Sequence, residues 1–273
     1  MRKFRKAAVA GLFYPAEQTS LSEEVKLLLS VSQPEKNFQN VFGIISPHAG
    51  YIYSGITAAY GFNLLKGRNY RNVIILSPSH REYFPGICIY DGDAYTTPMG
   101  TVEINKELAN KIINGSKTIF LGEKGHRQEH AIEVQLPFLQ TVLSDFKIVP
   151  IVMGDQSKLF VDELAKQIAD VSNGDTVIVA SSDMSHYYSK QKADELDSIV
   201  EKSVNNFEYD KLQDYLDKRV CEACGGGPIV SMMKAAYLLN RKNSFVLNRS
   251  DSGDVTGDFN EVVGYLSAVV YGD

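Results

Sequence analysis

Four short runs of apolar residues recur along the chain: Val41-Phe-Gly-Ile-Ile-Ser46, Asn72-Val-Ile-Ile-Leu-Ser77, Lys147-Ile-Val-Pro-Ile-Val152 and Thr176-Val-Ile-Val-Ala-Ser181. None alternates with polar residues, so each predicts a strand buried on both faces. Between them, residues 55–65, 129–143, 158–171 and 193–207 carry apolar positions at helical spacing. Strands alternating with helices predict an α/β fold, a single three-layer domain with a mostly parallel central sheet and helices on both faces. A hairpin-like insertion is expected over residues 86–103, where Ile87-Cys-Ile-Tyr90 meets the turn residues Asp91-Gly-Asp93. Val262–Tyr271 predicts a further strand. With no linker-like segment and no internal repeat, residues 1–273 are expected to form one domain.

Composition narrows the function classes. A 273-residue chain with 44% hydrophobic residues can bury a sizeable core. Its 28 basic and 33 acidic residues are well mixed, for a net charge of -5, so neither nucleic acid nor an anionic membrane is an expected partner. The basic opening of the chain is followed by too short an apolar run for a signal peptide. No stretch approaches the roughly 20 apolar residues that span a bilayer. Three cysteines, an odd number, point to reduced thiols and a cytoplasmic protein.

The histidines carry the candidate chemistry. His48 follows Ser46-Pro47, His80 follows Ser77-Pro-Ser, and Asp183 and His186 follow the strand ending at Ser181. In an open α/β sheet, loops at the carboxyl ends of neighbouring strands converge, so these residues are expected at one sheet edge. Proline after each of the first two strands ends it by removing a donor and fixing φ. Neutral imidazoles suit Zn, Fe, Cu and Ni, and two of them with one anionic ligand make an open, catalytic type of site. Asp183, Glu133 and Cys224 are the candidate anionic partners.

Cys224 lies in Cys221-Glu-Ala-Cys-Gly-Gly-Gly-Pro228, just before a predicted helix over 227–240. Free N–H groups at a helix N-terminus favour the thiolate, the form that binds metal or attacks carbon. Three glycines permit a close backbone approach. A single C-x-x-C with no second pair is weak evidence for zinc, and Cys221 and Cys88 read as packing residues. In His130-Ala-Ile-Glu133, the two ionisable groups share a helix face and could act as an acid/base pair or support the site from behind, with a kink expected at Pro137. His126 is expected in solvent.

Together, Val9-Ala-Gly-Leu-Phe-Tyr-Pro15, Ser46-Pro-His-Ala-Gly-Tyr51-Ile-Tyr-Ser-Gly55, Glu129-His-Ala-Ile-Glu-Val-Gln-Leu-Pro137, Ser181-Ser-Asp-Met-Ser-His-Tyr187 and Cys224-Gly-Gly-Gly-Pro228 resemble the Memo-like proteins. Prokaryotic members are called AmmeMemoRadiSam system protein B. The resemblance implies a fold similar to the class III extradiol ring-cleaving dioxygenases, with His48, His80 and Cys224 as metal ligands. His186 then resembles the dioxygenase base, with Asp183 beside it. The implied cofactor is Fe(II), with copper as the alternative because a thiolate softens the ligand set, and no organic cofactor. The family name implies an association with a radical-SAM protein.

Three functions follow: a metal-dependent oxidoreductase acting on a small molecule; a protein that binds a ligand or phosphopeptide in the same pocket without turnover; and metal-free chemistry with Cys224 as nucleophile and His186 as base. Asn248–Asp258, rich in turn residues, is expected to be a loop, either a plain connection to the last strand or a border of the pocket.

Overall fold

The computed structural model describes residues 2–273. The chain opens with β1 (Phe4–Arg5), α1 (Gln18–Val31), β2 (Val41–Ser46), α2 (Tyr51–Asn63) and β3 (Asn72–Pro78). A stretch of short elements follows: β4 (Ile87–Tyr90), β5 (Ala94–Thr97), β6 (Gly100–Glu103), α3 (Lys106–Ile113) and β7 (Ile119–Gly122). Next come α4 (Leu136–Val142), β8 (Lys147–Met153), α5 (Lys158–Val171), β9 (Thr176–Ser181), β10 (His186–Tyr188), α6 (Lys190–Asn205) and α7 (Tyr209–Asp217). The chain closes with α8 (Gly226–Leu238), β11 (Asn243–Asp251), α9 (Gly253–Thr256) and β12 (Val262–Tyr271).

Nine strands form the central sheet in the order β10-β12-β2-β9-β3-β8-β4-β7, with β11 paired to β12. Its centre, β2-β9-β3-β8, is parallel throughout, while β12 joins β2, and β4 joins β8, antiparallel. Successive residues of one strand enter opposite cores. Val73 and Ile75 of β3 pack with α1, α2 and α4, whereas Ile74 and Leu76 pack with α5 and α8. That two-sided burial is why these strands read as unbroken apolar runs, and each fully buried Val, Ile or Leu contributes about 1.5–3 kcal/mol. The three-layer expectation holds.

Three local expectations change. β4 pairs with β7 and β8 in the central sheet, and the hairpin is β5–β6, which with β1 forms a separate three-stranded sheet. Cys88 thus has a central-sheet address, buried as expected. Residues 129–143 do not form one kinked helix. A 3₁₀ turn over Glu133–Gln135 leads into α4, where Pro137 sits in the first turn and costs no hydrogen bond. Finally, Asn248 to Asp251 belong to β11 rather than to a loop.

Candidate metal centre

The four parallel central strands all end on one edge, and their exits build the site. After β2, Pro47 leads to His48, whose backbone N–H donates to Asp183 Oδ1 at 2.7 Å beyond β9. The His48 ring is buried, with Nδ1 2.9 Å from Ser181 Oγ. Ser181 has one hydroxyl proton, which goes to the Ala131 carbonyl at 2.8 Å, and it accepts from Gln135 Nε2 at 2.8 Å. It can therefore meet His48 only as an acceptor, so Nδ1 carries the proton and Nε2 presents a bare lone pair. That nitrogen lies 3.1 Å from Cys224 Sγ.

His80, beyond β3, obeys the same logic. Its Nδ1 is 2.9 Å from Glu129 Oε1, a carboxylate that can only accept, and its backbone N–H donates to Glu129 Oε2 at 2.7 Å. With Nδ1 so engaged, Nε2 is the nitrogen free for a ligand. Glu129 also accepts the backbone N–H groups of His130 and Ala131 at 2.9 and 3.0 Å. Burial alone would raise its carboxyl, but the His80 ring and these N–H groups outweigh burial and hold it at about 2. His130 completes the cluster: its ring stacks on His80 at 4.7 Å and crosses His48 edge-on at 5.3 Å. Burial, and then the neighbouring His48, bring its pKa down to about 4, and burial holds His48 well below its ordinary value. Both rings are neutral at physiological pH.

Cys224 closes the group from the turn just before α8. Its Sγ lies 3.3 Å from the Asp183 N–H, and its own N–H donates to the Asp183 carbonyl at 3.2 Å. The three glycines that follow answer three close neighbours. A Cβ would fall 2.1 Å from the Ser181 carbonyl oxygen at Gly225, 2.5 Å from Leu216 at Gly226 and 2.8 Å from Gln156 at Gly227. One expectation is corrected here. The N–H groups at the start of α8 are not free for the sulfur, because Ser182 Oγ, the Ala223 carbonyl and Gln156 Oε1 accept those of Gly225, Gly226 and Gly227. Burial, reinforced by Asp183, accordingly pushes the Cys224 thiol up. Cys221 is buried in the core, as its packing role requires.

A nitrogen of His48, a nitrogen of His80 and Cys224 Sγ lie within 4.8 Å of one another, and so do ligand atoms of His80, Glu129 and His130. Neutral imidazoles held through Nδ1, plus a sulfur, fit a transition-metal ion. Asp183 is buried, which raises its carboxyl against the lowering effect of the His48 N–H, and Oδ2 stands 3.8 Å from His48 Nε2. His186, at the start of β10, shares with Cys224, Met184, Gln156 and Glu222 the wall of a cleft of about 600 Å³.

The other predicted residues lie elsewhere. Glu133 is not brought to the imidazoles. Its buried carboxylate accepts from Ala8 and Val9 N–H at 2.7 and 3.0 Å, from the Tyr14 hydroxyl and from the Arg5 guanidinium, fastening the N-terminal segment. Glu129 takes the position beside the rings; the signal for it was its place directly before His130. His126, expected in solvent, is fully buried between Tyr95 and Cys88, and burial takes its pKa to about 3. Ser250, Asp251 and Asp254 line a second hollow of about 340 Å³ with Lys190 and Asp194, which shares no lining residue with the Cys224 cleft.

Fold and site thus define a three-layer α/β protein with two imidazoles and a thiol gathered at the carboxyl edge of its sheet. The Memo-like protein family model matches residues 5–269, and the chain belongs to that family. It is 38% identical to a MEMO1 family protein of Thermoplasma volcanium over 97% of both chains. It is 37% identical to one of Thermotoga petrophila, over 98% of this chain and 99% of the relative. Among solved structures, the uncharacterized protein JW3007 of Escherichia coli superposes with a TM-score of 0.51 and 15% identity, over 74% of this chain and 87% of that one. That likeness is one of fold. Among the described residues, no helix is long and apolar enough to cross a membrane.

Proposed function

We propose that this protein is a metal-dependent redox enzyme of dioxygenase-like architecture, in which His48, His80 and Cys224 hold Fe(II), with copper as the alternative. The observation that carries the reading is the hydrogen bonding behind the rings: Ser181 and Glu129 occupy both Nδ1 atoms, leaving Nε2 as the free nitrogen of each. When bound, the metal would supply redox chemistry and a Lewis acid beside the cleft. His80 has its side chain 27% exposed, so the centre has an open side. Asp183, at Oδ2, and the imidazole of His186 on the cleft wall are the groups that would take up and return protons from a small-molecule substrate. His130, neutral and packed against both rings, would orient His80. Metal analysis of anaerobically purified protein is expected to find stoichiometric iron or copper, lost in His48→Ala and in Cys224→Ser. A parent free of redox metal, or equal uptake by His48→Ala, defeats the reading.

One contact favours a second reading, cysteine chemistry without metal. His48 Nε2, not His186, stands 3.1 Å from the sulfur, so His48 would be the base. Against it, burial keeps both thiol and imidazole neutral. Alkylation of Cys224 at the same rate with and without added iron(II) would favour this alternative.

A further inference from the structure

Three of the four central strand exits deliver groups already discussed: β2 gives His48, β3 gives His80 and β9 gives Asp183. The fourth, β8, leads to Gln156, which lies between β8 and α5. Its side-chain amide spans the start of α8. Nε2 donates to the Cys224 carbonyl at 2.8 Å, while Oε1 accepts the Gly227 N–H at 2.7 Å. The two partners fix the orientation of the amide, since a carbonyl can only accept and an N–H can only donate. Gly227 completes the fit, because a Cβ there would lie 2.8 Å from Gln156 Cβ. On the other side, Ser182 Oγ accepts the Gly225 N–H at 2.9 Å, so the backbone around Cys224 is gripped from the β8 and β9 exits together.

We infer that Gln156 is a positioning residue for Cys224: its amide clamps the backbone on both sides of Gly225 and Gly226 and so sets where the sulfur stands relative to His48 and His80. Gln156 needs no contact with a bound ion to do this. It acts through the Cys224 main chain, as outer groups commonly do for a ligand whose orientation matters. The inference rests on the metal reading for its functional meaning.

Two readouts keep the two claims apart. In cobalt(II)-substituted protein, Gln156→Ala is expected to weaken cobalt affinity by about tenfold, the low end for loss of an outer-sphere partner. The thiolate-to-cobalt charge-transfer band should shift or lose intensity, with the thermal midpoint of the apo protein little changed. Gln156→Glu keeps the volume and the acceptor for Gly227 but sets an oxygen against the Cys224 carbonyl. It should resemble Gln156→Ala in both respects if hydrogen bonding matters, and the parent if only packing does. In metal-free protein, mass spectrometry after iodoacetamide treatment should show Cys224 alkylated several-fold faster in both variants, because its backbone is released. A parent that takes up no cobalt ends the metal reading, and the alkylation rates then decide the clamp alone. Variants identical to the parent in band position, affinity and alkylation rate overturn the proposal.

Discussion

Glu129 and Glu133 stand four residues apart in one segment, both buried, and both with carboxylates saturated by donors. Their surroundings differ completely. Glu129 faces the rings of His80 and His130, so its hydrogen bonds set which imidazole nitrogen is left bare. Glu133 faces the other way and receives Arg5, Tyr14 and two backbone N–H groups from the first turns of the chain. Burial of a carboxylate is therefore no guide to its use; the identity of its donors is. One glutamate backs the histidine cluster and the other attaches the N-terminal segment.

The largest effect is expected from Glu133→Ala, which leaves the Arg5 guanidinium buried without its partner. Breaking a buried pair in this way costs about 3–5 kcal/mol, measurable by urea unfolding. Metal uptake by the protein that remains folded should match the parent; loss of uptake by folded Glu133→Ala would instead place Glu133 in the chemistry, as an acid/base partner of His130. Glu129→Gln should invert the pattern. A neutral amide can still accept from His80 but gives up the charge, so metal affinity is expected to fall about 10–100-fold, with a smaller loss of stability. Titration of apo protein with iron(II) or cobalt(II) under anaerobic conditions measures it, and an unchanged affinity would remove Glu129 from the centre.

Acid should produce a smaller and graded effect on the imidazole side. His126 and His130 have folded-state pKa values near 3 and 4, below the 6.5 of an unperturbed imidazole. Both are held neutral by burial, so the folded state binds fewer protons than the unfolded chain. Their contribution to stability is complete above pH 6.5 and declines as pH falls toward 4 and then 3. The Glu129 carboxyl, depressed from 4.5 to about 2, adds a further loss across that lower interval. Urea midpoints of the apo protein between pH 7 and pH 4 should fall accordingly; a flat profile would show that the imidazoles are not sequestered.

Much of the scaffold was legible because the central strands bury both faces. Val41–Ser46, Thr176–Ser181 and Val262–Tyr271 have the bounds that their apolar runs predict, as does the amphipathic helix Lys158–Val171. β11 was missed because its residues are mostly half-buried and mixed in character, and β4 was misplaced because its partners, β7 and β8, lie well away in sequence. Within the site, His48, His80, Asp183 and Cys224 were legible from strand exits and a helix start. Gln156 was not, since a glutamine beyond a strand has no distinctive spacing until the chain folds.

By itself, the sequence determined the alternating elements, the burial of the sheet and the side chains available at its carboxyl edge, because those depend on local periodicity and on where strands stop. Tertiary structure alone decided the order β2-β9-β3-β8, which sets His48, His80 and Cys224 within 4.8 Å of one another across long sequence separations. It also decided which of two neighbouring glutamates meets the imidazoles. A difference of one turn of backbone points a carboxylate toward one set of donors or another, and no local pattern of residues records that direction.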